Sequence, residues 1–338
     1  MTPPSRLAYR RYRLTFRHPL RTAAGWWRER DGLILRWEGE GGRIGWGEAA
    51  PIPAFGMETT GELEAACAAL GAAPEAEAIA RVPFRLGCLR HALGRAQAEL
   101  TGRTPAAVHR FLPVAALLPA GPAALAKIPL LAEAGFRTFK WKVGAGDLGD
   151  ELVLLDEVCA ALPAGAQLRL DANGAWDRRG AERWLERCAD RPVEFLEQPV
   201  GPQARGAADL LLGLAADYPT PIALDESLVG DGDLERWLAA GWPGLFILKP
   251  ALLADPPAFL ERLRGAAERV VFSSALETAV GARSALQLAF SWPGARALGF
   301  GVWPLFALPG FDGPAAAPFV RPEDLDRLDR QSLWNALS

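Results

Sequence analysis

Two lysines stand one residue apart in Phe139-Lys140-Trp141-Lys142-Val143-Gly144. The run from Arg137 to Val143 carries Thr, Phe, Trp and Val and stops at a glycine, which predicts a β-strand. Strand side chains alternate, so Lys140 and Lys142 share one face. Two ammonium groups on one face of a buried strand repel each other and resist desolvation. Packing alone does not ask for that. Either the face meets negative charge, or one lysine gives up its proton near neutral pH. Further along come Leu170-Asp171-Ala172-Asn173, Leu196-Glu197-Gln198-Pro199, Leu224-Asp225-Glu226-Ser227, Leu248-Lys249-Pro250 and Phe272-Ser273-Ser274-Ala275-Leu276-Glu277. Their spacing, roughly 25 residues, is that of one strand-plus-helix unit.

The elements that must carry these residues follow from the alternation of short apolar runs with Ala/Leu/Arg-rich stretches. Strands are predicted at 113–118, 137–143, 167–170, 193–196, 221–224, 245–248, 269–272 and 297–300. Helices fall between them, at 147–161, 178–189, 206–216, 231–240 and 256–267. Strand-then-helix alternation argues for a parallel sheet, and eight such strands for a closed (β/α) barrel. The polar residues then gather at the C-terminal ends of the strands, the face where barrel enzymes keep their chemistry. Asp171, Glu197 and Asp225 would lie on neighbouring strands. Each alone could be a helix cap. Together, unpaired, they would repel and raise one another's pKa. A divalent ion resolves this, and all-oxygen ligation suits Mg²⁺, with Mn²⁺ as a substitute. Lys142 and Lys249 would face each other across the ion. A second ammonium and a metal lower a lysine's pKa, so that it can take a proton from a weak carbon acid. The ion can hold the enediolate that results. Ion pairing of the lysines with the acids is the structural alternative, and the two roles are compatible.

Residues 1–107 have a different texture, α+β, with strands at 9–16, 32–37 and 43–46 and helices at 60–70 and 84–100. Two loops, 21–28 with adjacent Trp26 and Trp27, and 51–56, are candidates for lids over the site. The barrel is expected over 108–301. Residues 302–338 fit no further unit and are expected to run back to the N-terminal part.

Composition narrows the classes. With 338 residues, half of them hydrophobic and 23% charged, the chain has the profile of a soluble globular protein. A net charge of -3 and the lack of a dense basic patch give no reason to expect nucleic acid. Arginines crowd the first seventeen residues, but no apolar run follows to make a signal peptide. No apolar stretch reaches the ~18 residues of a membrane span. Cys67, Cys88, Cys159 and Cys188 have no CxxC spacing and read as reduced thiols of a cytoplasmic protein. His18, His91 and His109 precede the strands that carry the site and read as structural or surface residues. Gly144-Ala-Gly-Asp-Leu-Gly149 matches a dinucleotide fingerprint. A first strand showing two lysines on one face argues against that reading, which also leaves the three acids unexplained.

Lys-x-Lys, Asp-x-Asn, Glu-Gln-Pro, Asp-Glu-Ser and Lys-Pro at these intervals resemble the enolase superfamily, in its muconate-lactonising-enzyme subgroup. The resemblance covers essentially the whole chain. It implies an α/β fold: a (β/α) barrel, with an N-terminal α+β capping domain completed by the C-terminal tail. It is nearest to members that dehydrate a cyclohexadiene carboxylate bearing a succinyl chain, on the route to menaquinone or phylloquinone. That likeness rests on 139–144, on Leu168-Arg-Leu-Asp-Ala-Asn173 and on Ser273-Ser-Ala-Leu-Glu-Thr-Ala-Val-Gly281. It implies a small-molecule carboxylate substrate and Mg²⁺ on Asp171, Glu197 and Asp225. Lys142 would move the proton and then assist departure of the hydroxyl. Lys249 would stay cationic against the developing charge, and Lys140 would help stabilise charge beside it. Asn173, Ser273 and Ser274 would bind substrate, the serines taking the succinyl carboxylate. Dipeptide epimerases carry an Asp-x-Asp element at the eighth strand. Here that stretch is Gly299-Phe-Gly-Val-Trp303, without an acid. Muconate lactonisation and N-acylamino acid racemisation use the same lysine pair and stay open, as does the oligomeric state. A Schiff-base aldolase using Lys249, or a barrel kept only for binding, would leave the three acids without a task.

Overall fold

The computed structural model describes residues 5–22 and 25–337. The chain opens with a long antiparallel hairpin, β1 (Arg6–Thr22) and β2 (Gly25–Glu38), paired from Arg6↔Glu38 to Thr22↔Gly25 with a shift between Thr15 and Leu20. Alternation sorts its faces. Tyr12, Leu14 and Phe16 are buried, while Arg11 and Arg13 point to solvent. Of the segment 21–28, expected as a loop, residues 21–22 and 25–28 are strand residues of this hairpin. Trp26 and Trp27 are strand residues there, since aromatic side chains favour continued pairing. Ala23 and Ala24 lie outside the described residues.

Strand β3 (Ile44–Ala49) adds to β2, and the helices α1 (Thr60–Leu70), α2 (Ala76–Ala80) and α3 (Gly87–Leu100) follow. Helix α3 lies directly on β3 because Gly45 and Gly47 lack side chains. A Cβ at either would strike the Ala96 or Ala92 carbonyl.

The stretch expected as one strand from 113 to 118 divides. Strand β4 (Leu112–Pro113) pairs antiparallel with a late strand, Phe319–Val320, and β5 (Ala116–Leu118) begins the barrel. After α4 (Ala123–Glu133) come β6 (Thr138–Lys142), α5 (Leu148–Ala161), β7 (Gln167–Asp171), α6 (Arg178–Cys188), β8 (Val193–Glu197), α7 (Ala207–Asp217) and β9 (Ile222–Leu224). Then follow α8 (Asp231–Ala239), β10 (Leu245–Leu248), α9 (Pro256–Leu263), β11 (Val270–Phe272) and α10 (Ala279–Ser291). Strands β5 to β11 form a parallel sheet in chain order. The expected eighth strand is reduced to a thin seam. Residues 298 and 299 bridge both sheet ends through Val114↔Leu298 and Ser273↔Gly299, which closes the barrel. Gly299 leaves no room for more, since a Cβ there would meet the Ser273 side chain.

The C-terminal stretch returns along the hairpin. Phe306 stacks on Phe16 with centroids 5.8 Å apart, and the helix Arg330–Ala336 brings Trp334 against Trp46 at 5.9 Å. Arg330 donates to Glu99 of α3 at 2.6 and 2.8 Å. No described helix is long and apolar enough to cross a membrane.

A buried clasp joins the antiparallel part to the barrel. Glu48 of β3 accepts from the Tyr12 hydroxyl at 2.6 Å, from the Thr278 and Gly281 amides at 2.9 and 2.8 Å, and from the Thr278 hydroxyl at 2.5 Å. It therefore caps α10 from 230 residues away. Arg30 of β2 donates to the carbonyls of Ala50, Pro51, Ala275 and Leu276. Beside this clasp, burial pushes the Glu277 carboxyl up to about 7.

Two measurements check this picture. Gly47→Val should lower the denaturant midpoint by the equivalent of about 1–3 kcal/mol, the usual cost of overpacking; an unchanged midpoint would remove the close-approach argument. Glu277 stays protonated in the fold where the unfolded carboxyl ionises, so wild-type stability should fall as pH rises from about 4.5 to about 7. Glu277→Gln should flatten that slope, with a difference of up to about 3 kcal/mol at neutral pH. Parallel stability–pH curves for the two proteins would show that Glu277 does not titrate this way.

Candidate functional site

Strand register sets the site. Lys142 lies opposite Asp171, and Asp171 opposite Glu197, so the ends of β6, β7 and β8 are level. Asp225 and Lys249 stand just past the ends of β9 and β10. On β6 the faces divide as alternation demands. Trp141 is fully buried against Trp184 of α6, centroids 6.4 Å apart, while the lysines turn into the barrel. Three strain points mark the same rim. Asn173, Gln198 and Leu276 have φ of 47°, 39° and 61°, values that side chains avoid unless the surroundings impose them.

The structure brings Lys140, Asp171, Glu197, Asp225 and Lys249 into one buried cluster. The Lys140 ammonium donates to Glu197 at 2.7 Å and pairs with Asp171 at 3.0 Å. Lys249 pairs with Asp225. All three acids are buried. Burial alone would push Lys140 down, but attraction from Asp171, Glu197 and Asp225 outweighs it and holds the ammonium well above its ordinary value. Lys249 is raised in the same way, its burial outweighed by Asp225 and Glu226. Both ammonium groups lie within ion-pair distance of carboxylates, and near opposite charge favours the charged form. The Glu197 carboxyl is pushed up, by burial and then by Asp171, whereas Lys249 and Lys140 hold Asp225 down against its burial. Lys142 is half-buried on the same face as Lys140.

Two residues to which the sequence pattern assigned no part, Gln198 and Glu226, join this cluster. Gln198 is fully buried, and its side-chain oxygen accepts from the Asp225 and Ser227 amides at 3.0 and 3.1 Å. Its side-chain nitrogen donates to Val200 and to the Ser227 hydroxyl. Gln198 thus fixes the turn that presents Asp225. Asn173 donates its backbone amide to Asp171 at 3.2 Å and its side-chain amide to Glu226 at 3.0 Å. The other Glu226 oxygen is buried without a hydrogen-bond partner among the described residues, and burial with Asp225 and Asp171 pushes the carboxyl up to about 7. The signal for both was present in Glu-Gln-Pro and Asp-Glu-Ser, but pattern alone did not say what they touch.

Ser273 and Ser274 sit at the end of β11. The Ser273 hydroxyl donates to the Gly299 carbonyl at 3.3 Å. Ser274 donates to Glu277 at 2.9 Å and accepts from the Leu276 amide at 2.9 Å. Both hydroxyl protons are directed at protein acceptors. Above the rim, Ala54 and Phe55 of the segment expected as a second lid line a cleft of about 300 Å³ with Asn173, Gly201 and Glu226. Trp27 packs on Phe55, centroids 6.4 Å apart.

The glycine-rich loop at 144–149 is no phosphate cradle. Its amides at Gly144, Ala145 and Gly146 already donate to the Glu151 carboxylate at 2.7, 3.1 and 3.0 Å.

As the side chains stand, no group of three His, Cys, Asp or Glu residues among those described is arranged to hold an ion. Ammonium groups lie between the acids instead. The donor set nonetheless fits a hard divalent cation: three buried carboxylates on consecutive strands, with the unsatisfied Glu226 oxygen beside them.

Comparison with known proteins agrees with the geometry. Residues 123–304 match the family model of the enolase C-terminal domain-like proteins. The o-succinylbenzoate synthase of Thermosynechococcus vestitus is 42% identical over 302 residues, covering 88% of this chain and 92% of that protein. The crystal structure of o-succinylbenzoate synthase from Thermosynechococcus elongatus BP-1, with Mg in its active site, superposes with a TM-score of 0.85. It is 37% identical and covers 98% of this chain and 100% of its own. A hydrophobic dipeptide epimerase of Roseobacter litoralis is more distant, 32% identical over 68% of this chain and 71% of its own. The chain belongs to the o-succinylbenzoate synthase family of enzymes, within the enolase superfamily.

Proposed function

We propose that the chain is a hydro-lyase that converts 2-succinyl-6-hydroxy-2,4-cyclohexadiene-1-carboxylate to o-succinylbenzoate, serving menaquinone or phylloquinone synthesis. The observation that carries this reading is the buried cluster itself. Three carboxylates from neighbouring strands are flanked by lysines from β6 and from the end of β10. Asp171, Glu197 and Asp225 would hold Mg²⁺, with Mn²⁺ as a substitute, and the bound ion would supply positive charge to the substrate's carboxylate oxygens.

The chain's own residues do the rest. Lys142 takes the proton from the carbon next to the carboxylate. As an ammonium it then returns that proton to the hydroxyl leaving from the same face, so the C–H and C–O bonds break and one water departs. Lys249, held cationic by Asp225, faces the negative charge that develops. Lys140 keeps the cluster's charge in balance. Asn173, Ser273 and Ser274 are assigned to substrate binding. Asn173 lines the cleft above the rim and the serines stand at the end of β11, which supports this; the serines would turn their hydroxyls from Gly299 and Glu277 toward the succinyl carboxylate. Free thiols at Cys67, Cys88, Cys159 and Cys188 support a reducing compartment, the cytoplasm.

Lys142→Ala should cut turnover of the cyclohexadiene substrate by about 10²–10⁴-fold, the range for a lost acid–base group, while calorimetric Mg²⁺ binding persists. Turnover within a few-fold of wild type would sink the assignment. Gln198→Leu should strand two buried amides at about 1–3 kcal/mol each and weaken Mg²⁺ binding through a displaced Asp225. Unchanged Mg²⁺ affinity in a folded Gln198→Leu protein would deny Gln198 that positioning role.

A further inference from the structure

A second cleft, of about 530 Å³, lies between α3 on one side and α9 with the end of α10 on the other. Four arginines line it, Arg90, Arg95, Arg103 and Arg264, against two acids, Asp255 and Glu261. Both acids are already engaged. Glu261 pairs with Arg264 at 2.9 Å, and Asp255 caps α9 by accepting from the Ala258 amide at 3.2 Å.

The inner arginines are the informative ones. Arg95 is only 4% exposed. One of its terminal nitrogens donates to Gln287 at 3.2 Å, and its Nε has no partner among the described residues. The acid that acts on it, Glu99, is bound by Arg330 at 2.6 and 2.8 Å. Arg90 donates one terminal nitrogen to the Val82 carbonyl at 2.8 Å, and its buried Nε is likewise unpartnered. Between them, His91 is buried, and its Nδ1 also lacks a partner among the described residues. Burial pushes that ring down to about 3, so it is a neutral donor or acceptor rather than a further charge.

A buried guanidinium without a counter-ion of its own is costly, and an unmet donor beside it adds to the cost. The guanidinium fork matches carboxylate and phosphate oxygens two at a time. The volume lies within the ~300–1,000 Å³ of small-ligand sites. None of these groups takes part in the dehydration. We propose that this cleft binds a small organic anion bearing phosphate or carboxylate groups, with Arg95 and Arg90 as inner contacts and Arg103 and Arg264 at its mouth. Because its walls come from the capping part and from the barrel, an occupant ties the two together.

Titration calorimetry and thermal melting of the full chain, free of divalent metal, test this with pyrophosphate and citrate as probes. Wild type should bind at least one probe saturably and melt at a higher temperature with it. Pyrophosphate alone would assign a phosphate ligand, and citrate alone a carboxylate. Arg103→Ala/Arg264→Ala changes only exposed side chains and should fold. It should bind about tenfold more weakly or worse, the effect of losing a charge-assisted contact. Arg95→Gln should weaken binding at least as much. The proposal is overturned if neither probe binds wild type, or if the double variant binds both as tightly, which would place the probes at the lysine cluster.

Discussion

Charge balance inside the barrel is the constraint on which the rest depends. Three carboxylates are buried at neighbouring strand ends, and a cluster of that kind cannot stand unpaired. Lys140 answers two of them and Lys249 the third. The pairing makes the cluster compatible with folding, and the same cations and anions are the parts that a proton transfer next to a carboxylate needs. In the proposed reaction, structure and chemistry use one set of charges.

Holding that set level requires rigidity at the rim. The parallel register aligns Lys142, Asp171 and Glu197 through backbone hydrogen bonds alone. Past the strand ends the backbone must turn sharply, and there the left-handed residues Asn173, Gln198 and Leu276 appear. Each sits in a hydrogen-bond network that imposes its conformation. Gln198 is the clearest: four contacts from one buried amide define the turn that carries Asp225. The capping part contributes through Glu48 and Arg30, which fix the turn after β11 where Ser273 and Ser274 stand.

The sequence pattern carried the fold class and the polar residues at the strand ends, because both depend on short-range regularities. A strand's period of two placed Lys140 and Lys142 on one face, and strand–helix alternation placed the acids at one rim. Elements failed to be read where their existence depends on distant partners. The seam at 298 and 299 is a strand only by virtue of its two bridges, and the hairpin residues 21–22 and 25–28 read as a loop until their pairing is known.

By itself, then, the sequence determined which residue types line the barrel mouth and in what order, since that information is local. Tertiary structure decided what each of them touches. Lys140 bridges Asp171 and Glu197. The hydroxyls of Ser273 and Ser274 point to protein acceptors, and the amides of the glycine-rich loop are taken by Glu151. A carboxylate 230 residues away caps α10. The physical reason is that burial and hydrogen-bond pairing join groups far apart in the chain, and no periodicity records such partners.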